Sequence, residues 1–367
     1  MWIVWAACAI AATYQAMVIV AVLRHLLAKE PPLRDAPGVS ILKPVRGGDP
    51  GFREAIGSHA SIVYPDVELL FGVNLRGDPA PAMVRDLAAS HPERRIEIHE
   101  IETKAPNGKV GVLTALSKHA RKPVWVVNDG DIQVPPDYLS RILAPLADPQ
   151  VGLVTCLYRA NPRGLSASWE ALGIAADFAP STLVAPMVGV KEFGLGSTLC
   201  FRASDLAAAG GFAAIEDYLA DDYQIARRLT KDAGKRAVLS KLIVETNMAY
   251  DSWGAMIRHQ LRWARTIRVS RPDGYSGLPV THAGLWALVA VAAGSWQVGA
   301  GVAVLRMLAG FLAGWVLMRS PQALVLPLIP LWDVFAFGIW VGGWLGDTVE
   351  WRGQSYRLRG DGRLSRR

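Results

Sequence analysis

Two aspartates follow directly on a short apolar stretch near the middle of the chain. Residues 124–127 read Val-Trp-Val-Val, and Asn128, Asp129, Gly130 and Asp131 come next. In an extended chain the side chains at positions i and i+2 point to the same side, so the two aspartates can face one ligand together. Such a pair can hold a divalent cation, and the cation a diphosphate. A plain turn uses the same residue types, so these residues alone favour neither interpretation.

Two further aspartates could bind a ligand or act in catalysis. Asp78 stands before Pro79, where its carboxylate can accept hydrogen bonds from a uracil or a ribose, although aspartate is common in turns of this kind. Asp222 follows Asp221, and a carboxylate at the mouth of a cleft can act as general base on a hydroxyl nucleophile. The alternative for this pair is helix capping, and we expect Asp221 to cap while Asp222 reacts.

A helix predicted over residues 252–269 is dense in arginine. It carries His259, Arg262 and Trp263. Arginine binds phosphate, and tryptophan can stack on an acceptor or line its pocket. A solvated basic helix beside a membrane is the alternative interpretation.

The order of the predicted elements indicates how these residues come together. Strands are predicted over residues 39–45, 67–74, 95–101 and 124–127, with helices between them. This alternation predicts an α/β fold with a mostly parallel sheet, whose ligands bind at the carboxyl ends of the strands. The loops at that edge include 46–50 and 75–79 and contain four candidate groups, Arg46, Asp78, Lys109 and the pair Asp129/Asp131.

Apolar residues concentrate at the two ends of the chain. Residues 2–27 carry no charge before Arg24, and they are long enough to cross a bilayer of about 30 Å as a helix. Positive charges follow this segment instead of preceding it, which disfavours a cleaved signal peptide. The same asymmetry predicts an anchor with its N-terminus outside and the following residues in the cytoplasm.

The C-terminal part is predicted to return to the membrane. Residues 282–318 contain one charge, Arg306, and are predicted to form two helices that break near Gly299–Gly301; residues 324–345 form a third apolar segment. Three crossings would place the basic tail outside, against the positive-inside tendency, so two or three crossings stay open.

The predicted organisation is an anchor (1–28), a linker (29–38), a catalytic domain (39–275), membrane segments (280–345) and a basic tail (346–367). Within the middle domain, the apolar stretch 162–186 fits either a core helix or a segment at the membrane interface.

Charge and cysteine usage exclude several classes of protein. The net charge is +7, and six arginines fall within the last sixteen residues: Arg352, Arg357, Arg359, Arg363, Arg366 and Arg367. Their place after an apolar segment favours a membrane surface and disfavours nucleic acid. The three cysteines have no paired spacing, which argues against a disulfide framework or a zinc site.

Taken together, the order of these residues resembles the pattern of family 2 and family 21 glycosyltransferases of GT-A fold. That pattern is an Asp, a DxD-like pair, another Asp and then (Q/R)xxRW; here it is filled by Asp78, Asp129 with Asp131, Asp222, and His259 with Arg262 and Trp263. The phrases VSILKP (39–44), GDPA (77–80), NGKV (107–110) and DDY (221–223) look like the ceramide glucosyltransferase branch, which includes bacterial hopanoid-associated glycosyltransferases. The resemblance covers roughly residues 39 to 345. Two positions depart from the family pattern. The first residue of (Q/R)xxRW is a histidine, and the sequence Asn-Gly-Lys at 107–109 differs in detail from that of the family.

On the donor side, the resemblance implies inverting transfer of a hexose from a UDP-sugar by a Rossmann-like domain. Asp78 would contact the nucleoside, and Lys109 and Arg262 the diphosphate. Asp129 and Asp131 would hold Mg²⁺ or Mn²⁺, with Asp131 as the expected direct ligand.

On the acceptor side, the resemblance implies a lipid hydroxyl, from a ceramide or a hopanoid polyol. Asp222 would take the proton from that hydroxyl, and His259 and Trp263 would line the acceptor side. A bacterial inner-membrane location follows, with the catalytic domain facing the cytoplasm.

Two alternatives stay open. A processive polysaccharide synthase shares the fold and motifs, but it generally needs more membrane helices and a full QxxRW motif. A catalytically inactive membrane scaffold could keep the fold, although such relatives usually lose some of the acidic residues that are all present here.

Overall fold

The structure is a computed structural model that describes residues 1–49, 51–74, 76–351 and 354–366. Pro50 and Leu75, in two predicted loops, and Arg352 and Arg367, in the basic tail, lie outside the described residues. The chain divides into two units. The sheet unit comprises Lys29–Tyr158 and Lys191–Asn247, and the helical unit comprises Met1–Ala28, Arg159–Val190 and Met248–Arg367. Residues 159–190 and 248–275, which the sequence analysis assigned to the middle domain, thus group with the apolar helices.

Helices and strands alternate through the first part of the chain, and helices dominate the last. The helices are α1 (Trp2–Leu27), α2 (Phe52–Ala60), α3 (Ala80–Ser90), α4 (Gly108–Leu116), α5 (Tyr138–Leu143), α6 (Leu165–Gly173), α7 (Ala179–Val184), α8 (Ala203–Ala208), α9 (Asp221–Arg227), α10 (Trp253–Ser270), α11 (Pro272–Gly277), α12 (Ala283–Ala292), α13 (Trp296–Phe311) and α14 (Leu328–Trp344). The strands are β1 (Val39–Pro44), β2 (Val67–Val73), β3 (Arg95–Glu100), β4 (Val124–Val127), β5 (Ile132–Gln133), β6 (Val151–Arg163), β7 (Leu199–Arg202), β8 (Arg236–Ala249), β9 (Thr348–Trp351), β10 (Gln354–Leu358) and β11 (Leu364–Arg366).

The main sheet has the strand order β3-β2-β1-β4-β7-β6-β8-β5. Strands β3, β2, β1 and β4 run parallel, and β7 pairs antiparallel with β4, as β5 does with β8. Alternate residues of the central strands enter two separate cores: Ile41 and Val126 pack on one side, and Leu42 and Val127 on the other. Because both faces are covered, these strands are rich in apolar residues, and the two polar side chains of β1, Ser40 and Lys43, are buried with hydrogen-bond partners. The predicted α/β fold with parallel strands is confirmed.

The helical unit contains three helices that are long and apolar enough to cross a membrane. By length and composition, these are Trp2–Leu27, Leu165–Val188 and Trp296–Leu317. A fourth is present among the described residues if the pair Pro272–Thr281 and Ala283–Ala292, bent by 53°, counts as one span. Helix α14 is apolar but shorter. The apolar stretch predicted over 162–186 is therefore a long helix, which continues from α6 through a π-helical turn into α7.

The break between α12 and α13 lies earlier than predicted. It falls after Ala292 and before Trp296, so the predicted break at Gly299–Gly301 is wrong. Gly294 ends α12 with φ of +81°, a conformation that favours glycine. Gly299 serves close packing instead, because a Cβ there would lie 2.6 Å from the carbonyl oxygen of Ala287.

One ion pair is buried among the apolar helices. Arg306 on α13 donates from Nε and Nη2 to the Asp333 carboxylate on α14, at 2.9 and 2.7 Å. Its Nη1 donates to the carbonyl of Ala176 in the π-helical turn (2.9 Å), and the amide of Gly284 donates to Asp333 (2.7 Å). The pair therefore ties four helical segments together.

The chain closes with a small antiparallel sheet of order β11-β10-β9. Val349, Tyr356, Leu358 and Leu364 are buried there. The described part of the predicted basic tail therefore forms strands with buried apolar side chains.

Candidate active site

The Asp129/Asp131 pair lies where strand β4 ends, at the carboxyl edge of the parallel strands. Asn128 fixes this turn, because its Nδ2 donates to the Tyr138 hydroxyl (2.9 Å) and to the Ser197 carbonyl (2.6 Å). The amide of Asp129 donates to the carbonyl of Gly196 at 2.9 Å. The loop before β7 thus holds the first aspartate in place while its side chain stays 45 % exposed.

Lys109 bridges two carboxylates in the sheet unit. Helix α4 begins after Asn107, whose Oδ1 accepts from the amides of Lys109 (3.0 Å) and Val110 (3.2 Å). The buried Lys109 Nζ lies 2.7 Å from Asp129 Oδ1 and 2.8 Å from Asp221 Oδ2. Burial alone would lower the pKa of Lys109, but the two carboxylates outweigh it and raise the pKa above its usual value. A fixed positive charge therefore stands beside the first aspartate of the pair.

Asp131 is partly buried and has a hydrogen-bond partner of its own. Its Oδ2 accepts a hydrogen bond from the Thr246 hydroxyl at 2.6 Å. Burial, together with the negative charge of Asp129, raises the pKa of Asp131. The two carboxylates therefore repel each other, and a bound cation would relieve that repulsion.

A second lysine lies under the turn. Lys43 on β1 is fully buried, and its Nζ donates to the Asp129 carbonyl at 2.9 Å and lies 3.5 Å from His59 Nε2. Burial lowers the pKa of Lys43 to about 7, although Asp131 and Asp129 oppose this. The sequence analysis missed Lys43; the signal was a charged residue inside an otherwise apolar strand.

Asp221 and Asp222 open helix α9, and only the role predicted for Asp221 is contradicted. The N-cap residue is Ala220, so the prediction that Asp221 caps the helix is wrong. Asp221 is instead buried and paired with Lys109, because an unpaired carboxylate there would be costly.

Asp222 accepts a hydrogen bond from the amide of Tyr223 at 2.7 Å. Burial and the neighbouring Asp221 raise the pKa of Asp222 to about 7, with Lys109 partly offsetting them. Such a carboxyl group can take up a proton near neutral pH.

Asp78 has a structural role in the loop after β2. Its Oδ1 accepts from the amides of Gly47 and Ala80, both at 2.8 Å. One oxygen therefore links the loop after β1 to the start of α3. The bond to Ala80, two residues on, is the one that the turn interpretation predicts. Its contact with a nucleoside stays a prediction.

The remaining predicted residues lie on α10 in the helical unit. His259 Nδ1 is 2.8 Å from Glu170 Oε1 and 2.9 Å from the Tyr250 hydroxyl. The His259 ring lies 4.9 Å from that of Trp263, which in turn lies 6.0 Å from Phe178. Arg262 belongs to the same helix. The structure thus brings His259 and Trp263 together, and it adds Glu170, which the sequence analysis did not single out.

Two carboxylates alone do not make a complete metal site. Within the part of the chain that the structure describes, no three His, Cys, Asp or Glu side chains group around one point. Asp129 and Asp131 nevertheless fit a hard divalent cation, because they supply two oxygen ligands whose mutual repulsion the cation would offset. The other ligands would come from phosphate oxygens and water.

Comparison with known proteins places the chain among glycosyltransferases. The model of "Glycosyl transferase family 21" matches residues 3–364. Ceramide glucosyltransferase 1 of Caenorhabditis elegans is 26% identical over 359 residues, which cover 93% of this chain and 75% of the relative. Ceramide glucosyltransferase 3 of the same organism is 25% identical, covering 89% and 74%.

A solved structure shares the fold. It is the mannosyltransferase PcManGT from Pyrobaculum calidifontis in complex with GDP-Man and Mn²⁺, with a TM-score of 0.54 and 22% identity. The match covers 89% of this chain and 99% of that one. The predicted GT-A fold is therefore confirmed.

Proposed function

Because the chain belongs to glycosyltransferase family 21, we propose that it transfers a hexose from a UDP-sugar to a lipid hydroxyl with inversion at the anomeric carbon. The observation that carries this proposal is the group of acids and lysine at the carboxyl edge of the sheet. Lys109 joins Asp129 to Asp221, and Asp222 follows with its raised pKa. Relatives named as ceramide glucosyltransferases support a lipid acceptor such as ceramide. A hopanoid polyol is the other acceptor that we propose to test.

On the donor side, each residue has a distinct task. Asp78 contacts the nucleoside through the oxygen that does not hold the loop, and Lys109 and Arg262 bind the diphosphate. Asp129 and Asp131 hold Mg²⁺ or Mn²⁺, which when bound offsets the negative charge that grows on the leaving diphosphate. Thr246 keeps Asp131 in position through its 2.6 Å hydrogen bond.

Asp222 acts as the general base. It removes the proton from the lipid hydroxyl while that oxygen attacks the anomeric carbon and the bond to the diphosphate breaks. A pKa of about 7 suits this task, because the group is ionised in a large fraction of molecules and still binds a proton well. His259 and Trp263 contact the acceptor.

The apolar helices bring the enzyme to its substrate. We propose an integral protein of the bacterial inner membrane, with its catalytic residues on the cytoplasmic side. The three helices of sufficient length, and the positive charges Arg24 and Lys29 that follow the first, support this arrangement.

The test is a transfer assay with the protein purified in detergent. UDP-glucose and UDP-N-acetylglucosamine are each paired with ceramide and with a hopanoid polyol, with Mg²⁺ or Mn²⁺ present, and the lipid products are identified by mass. We expect one sugar on the lipid. Asp222→Asn should lower kcat by about 10²- to 10⁴-fold.

The matched control is Asp148→Asn, which removes an acid that pairs with Arg236 away from the site. It should keep full activity. A polymer product would indicate a processive synthase, and no transfer from any nucleotide sugar would favour an inactive scaffold. Full activity in Asp222→Asn would refute the assignment of the base.

A further inference from the structure

Glu170 is a fully buried carboxylate in the helical unit. It lies on α6 with none of its surface exposed, and its Oε1 is 2.8 Å from His259 Nδ1. Its Oε2 has no hydrogen-bond partner among the described residues. A buried carboxylate with so few partners is costly unless its charge is neutralised.

The position of the protons on this pair follows from that cost. Three arrangements satisfy the Nδ1 contact. An ionised Glu170 can face an imidazolium, an ionised Glu170 can face a neutral ring protonated at Nδ1, or a protonated Glu170 can donate to Nδ1. Only the second has a net negative charge, and burial disfavours it. In the other two arrangements Nε2 carries a proton.

With a proton on Nε2, His259 can donate a hydrogen bond, as the Gln or Arg at this position of the family motif can. The resembled motif has Gln or Arg at this position, and both side chains donate hydrogen bonds. Histidine donates from Nε2 only when that nitrogen is protonated. The contacts described for His259, to Glu170 and Tyr250, both use Nδ1, and its side chain is 22% exposed, so Nε2 is left for a ligand.

We propose that Glu170 is a positioning residue that keeps His259 in the form with a proton on Nε2. His259 then donates a hydrogen bond to a substrate oxygen, either a phosphate oxygen of the sugar nucleotide or the hydroxyl of the acceptor lipid. This inference rests on the proposed function, in which His259 contacts substrate. The neighbouring Trp263 ring, 4.9 Å away, limits the movement of the imidazole.

The first test does not depend on activity. The full-length protein, labelled with ¹⁵N in its histidines and held in detergent, is observed by NMR, with His259→Gln used to assign the signal. In the native protein Nε2 should resonate as a protonated nitrogen. Glu170→Met should shift that signal towards an average of two tautomers. An unprotonated Nε2 in the native protein would overturn the proposal, whether or not the variant folds.

The matched control for this spectrum is Asp177→Asn. Asp177 follows in the same long helix and accepts a hydrogen bond from Trp332 Nε1 at 3.1 Å. The Asp177→Asn variant should show the His259 signal at the same position as the native protein. Loss of the signal in this variant too would mean that any change in the helix disturbs the ring, which contradicts a specific role of Glu170.

The second test is kinetic. Glu170→Met should lower kcat/KM about tenfold in the native background, which is the value of one hydrogen bond, and much less in a His259→Gln background. A higher KM for the sugar nucleotide would identify a phosphate oxygen as the partner, and a higher KM for the lipid would identify the hydroxyl. An equal loss in both backgrounds would show a purely structural role and overturn the proposal. If no nucleotide sugar is used at all, the proposed function fails while the NMR result still stands.

Discussion

Two groups of charged side chains, one in each unit, differ in the balance of acids and bases. In the helical unit, Arg306 meets one carboxylate, Asp333, and the pair has further hydrogen bonds to backbone groups. At the candidate active site of the sheet unit the acids outnumber the bases, with four carboxylates and two lysines: Asp129, Asp131, Asp221, Asp222, Lys43 and Lys109.

This difference separates a structural group from a functional one. A balanced pair with satisfied hydrogen bonds needs nothing from outside the chain. Burial, together with the excess of acid, raises the pKa values of Asp131 and Asp222, and the excess leaves negative charge that a ligand cation would offset. The excess of acid in the sheet unit is therefore the reason why we propose that the chemistry takes place there.

The largest change in stability is expected from breaking the balanced pair. Arg306→Leu leaves Asp333 buried without its partner, and the free energy of unfolding should fall by about 3–5 kcal/mol. Thermal unfolding in detergent measures this loss. The double variant Arg306→Leu/Asp333→Leu should recover most of it, since both charges are gone. A loss below about 1 kcal/mol in the single variant would contradict a structural role.

Removal of Lys109 should affect both stability and activity. Lys109→Met leaves Asp129 and Asp221 facing each other without a cation, so we expect a loss of about 3 kcal/mol and a fall in kcat of about 100-fold. Adding Asp221→Asn should restore stability but not activity, because the lysine that we propose to bind the diphosphate is still missing. Recovery of both would show that Lys109 is only structural.

The dependence of stability and activity on pH should reveal the titration of Asp222. Its pKa rises from 3.8 to about 7 on folding, so the native state binds a proton that the unfolded state has released. Stability from this group is therefore present below about pH 4 and lost as the pH rises through about 7. Transfer activity should rise over the same upper range as the base ionises.

Variants of the neighbouring residues test this assignment. Asp222→Asn should remove the slope in stability, measured by denaturant unfolding between pH 4 and 8. Asp221→Asn should move the midpoint of activity to lower pH, because it removes the second cause of the raised pKa. An unchanged midpoint would argue that another group titrates.

The smallest effects are expected at two glycines of the sheet unit. Gly196→Ala places a Cβ 2.4 Å from Asp129 Oδ2, so the carboxylate must move while the fold remains. We expect a change in stability below about 1 kcal/mol and a loss of activity of about tenfold. Gly57→Ala, in helix α2 with open space around it, should stabilise by about 0.5–1 kcal/mol at full activity. Normal activity in Gly196→Ala would mean that the position of Asp129 matters little.

Local patterns predicted the parallel half of the sheet well. Strands β1 to β4 begin at the predicted residues, because β1, β2 and β4 are rich in apolar residues, β3 alternates polar and apolar residues, and loops containing Gly, Asp or Pro follow them. The break between α12 and α13 was mispredicted, since a glycine that ends a helix and one that packs closely against a neighbour look alike in sequence. The roles of Asp221 and Glu170 depended on partners far along the chain.

The sequence by itself determined which residues are available for chemistry: an acidic pair after a buried strand, a further acid and an arginine-tryptophan helix, between apolar segments. These features are local, because strand and helix periods and turn residues depend on near neighbours. Only the tertiary structure decided that Asp221 binds Lys109, that Lys43 lies under the turn, and that Arg306 is neutralised by Asp333. The physical reason is that the cost of a buried charge is set by its partner, and tertiary folding chooses that partner.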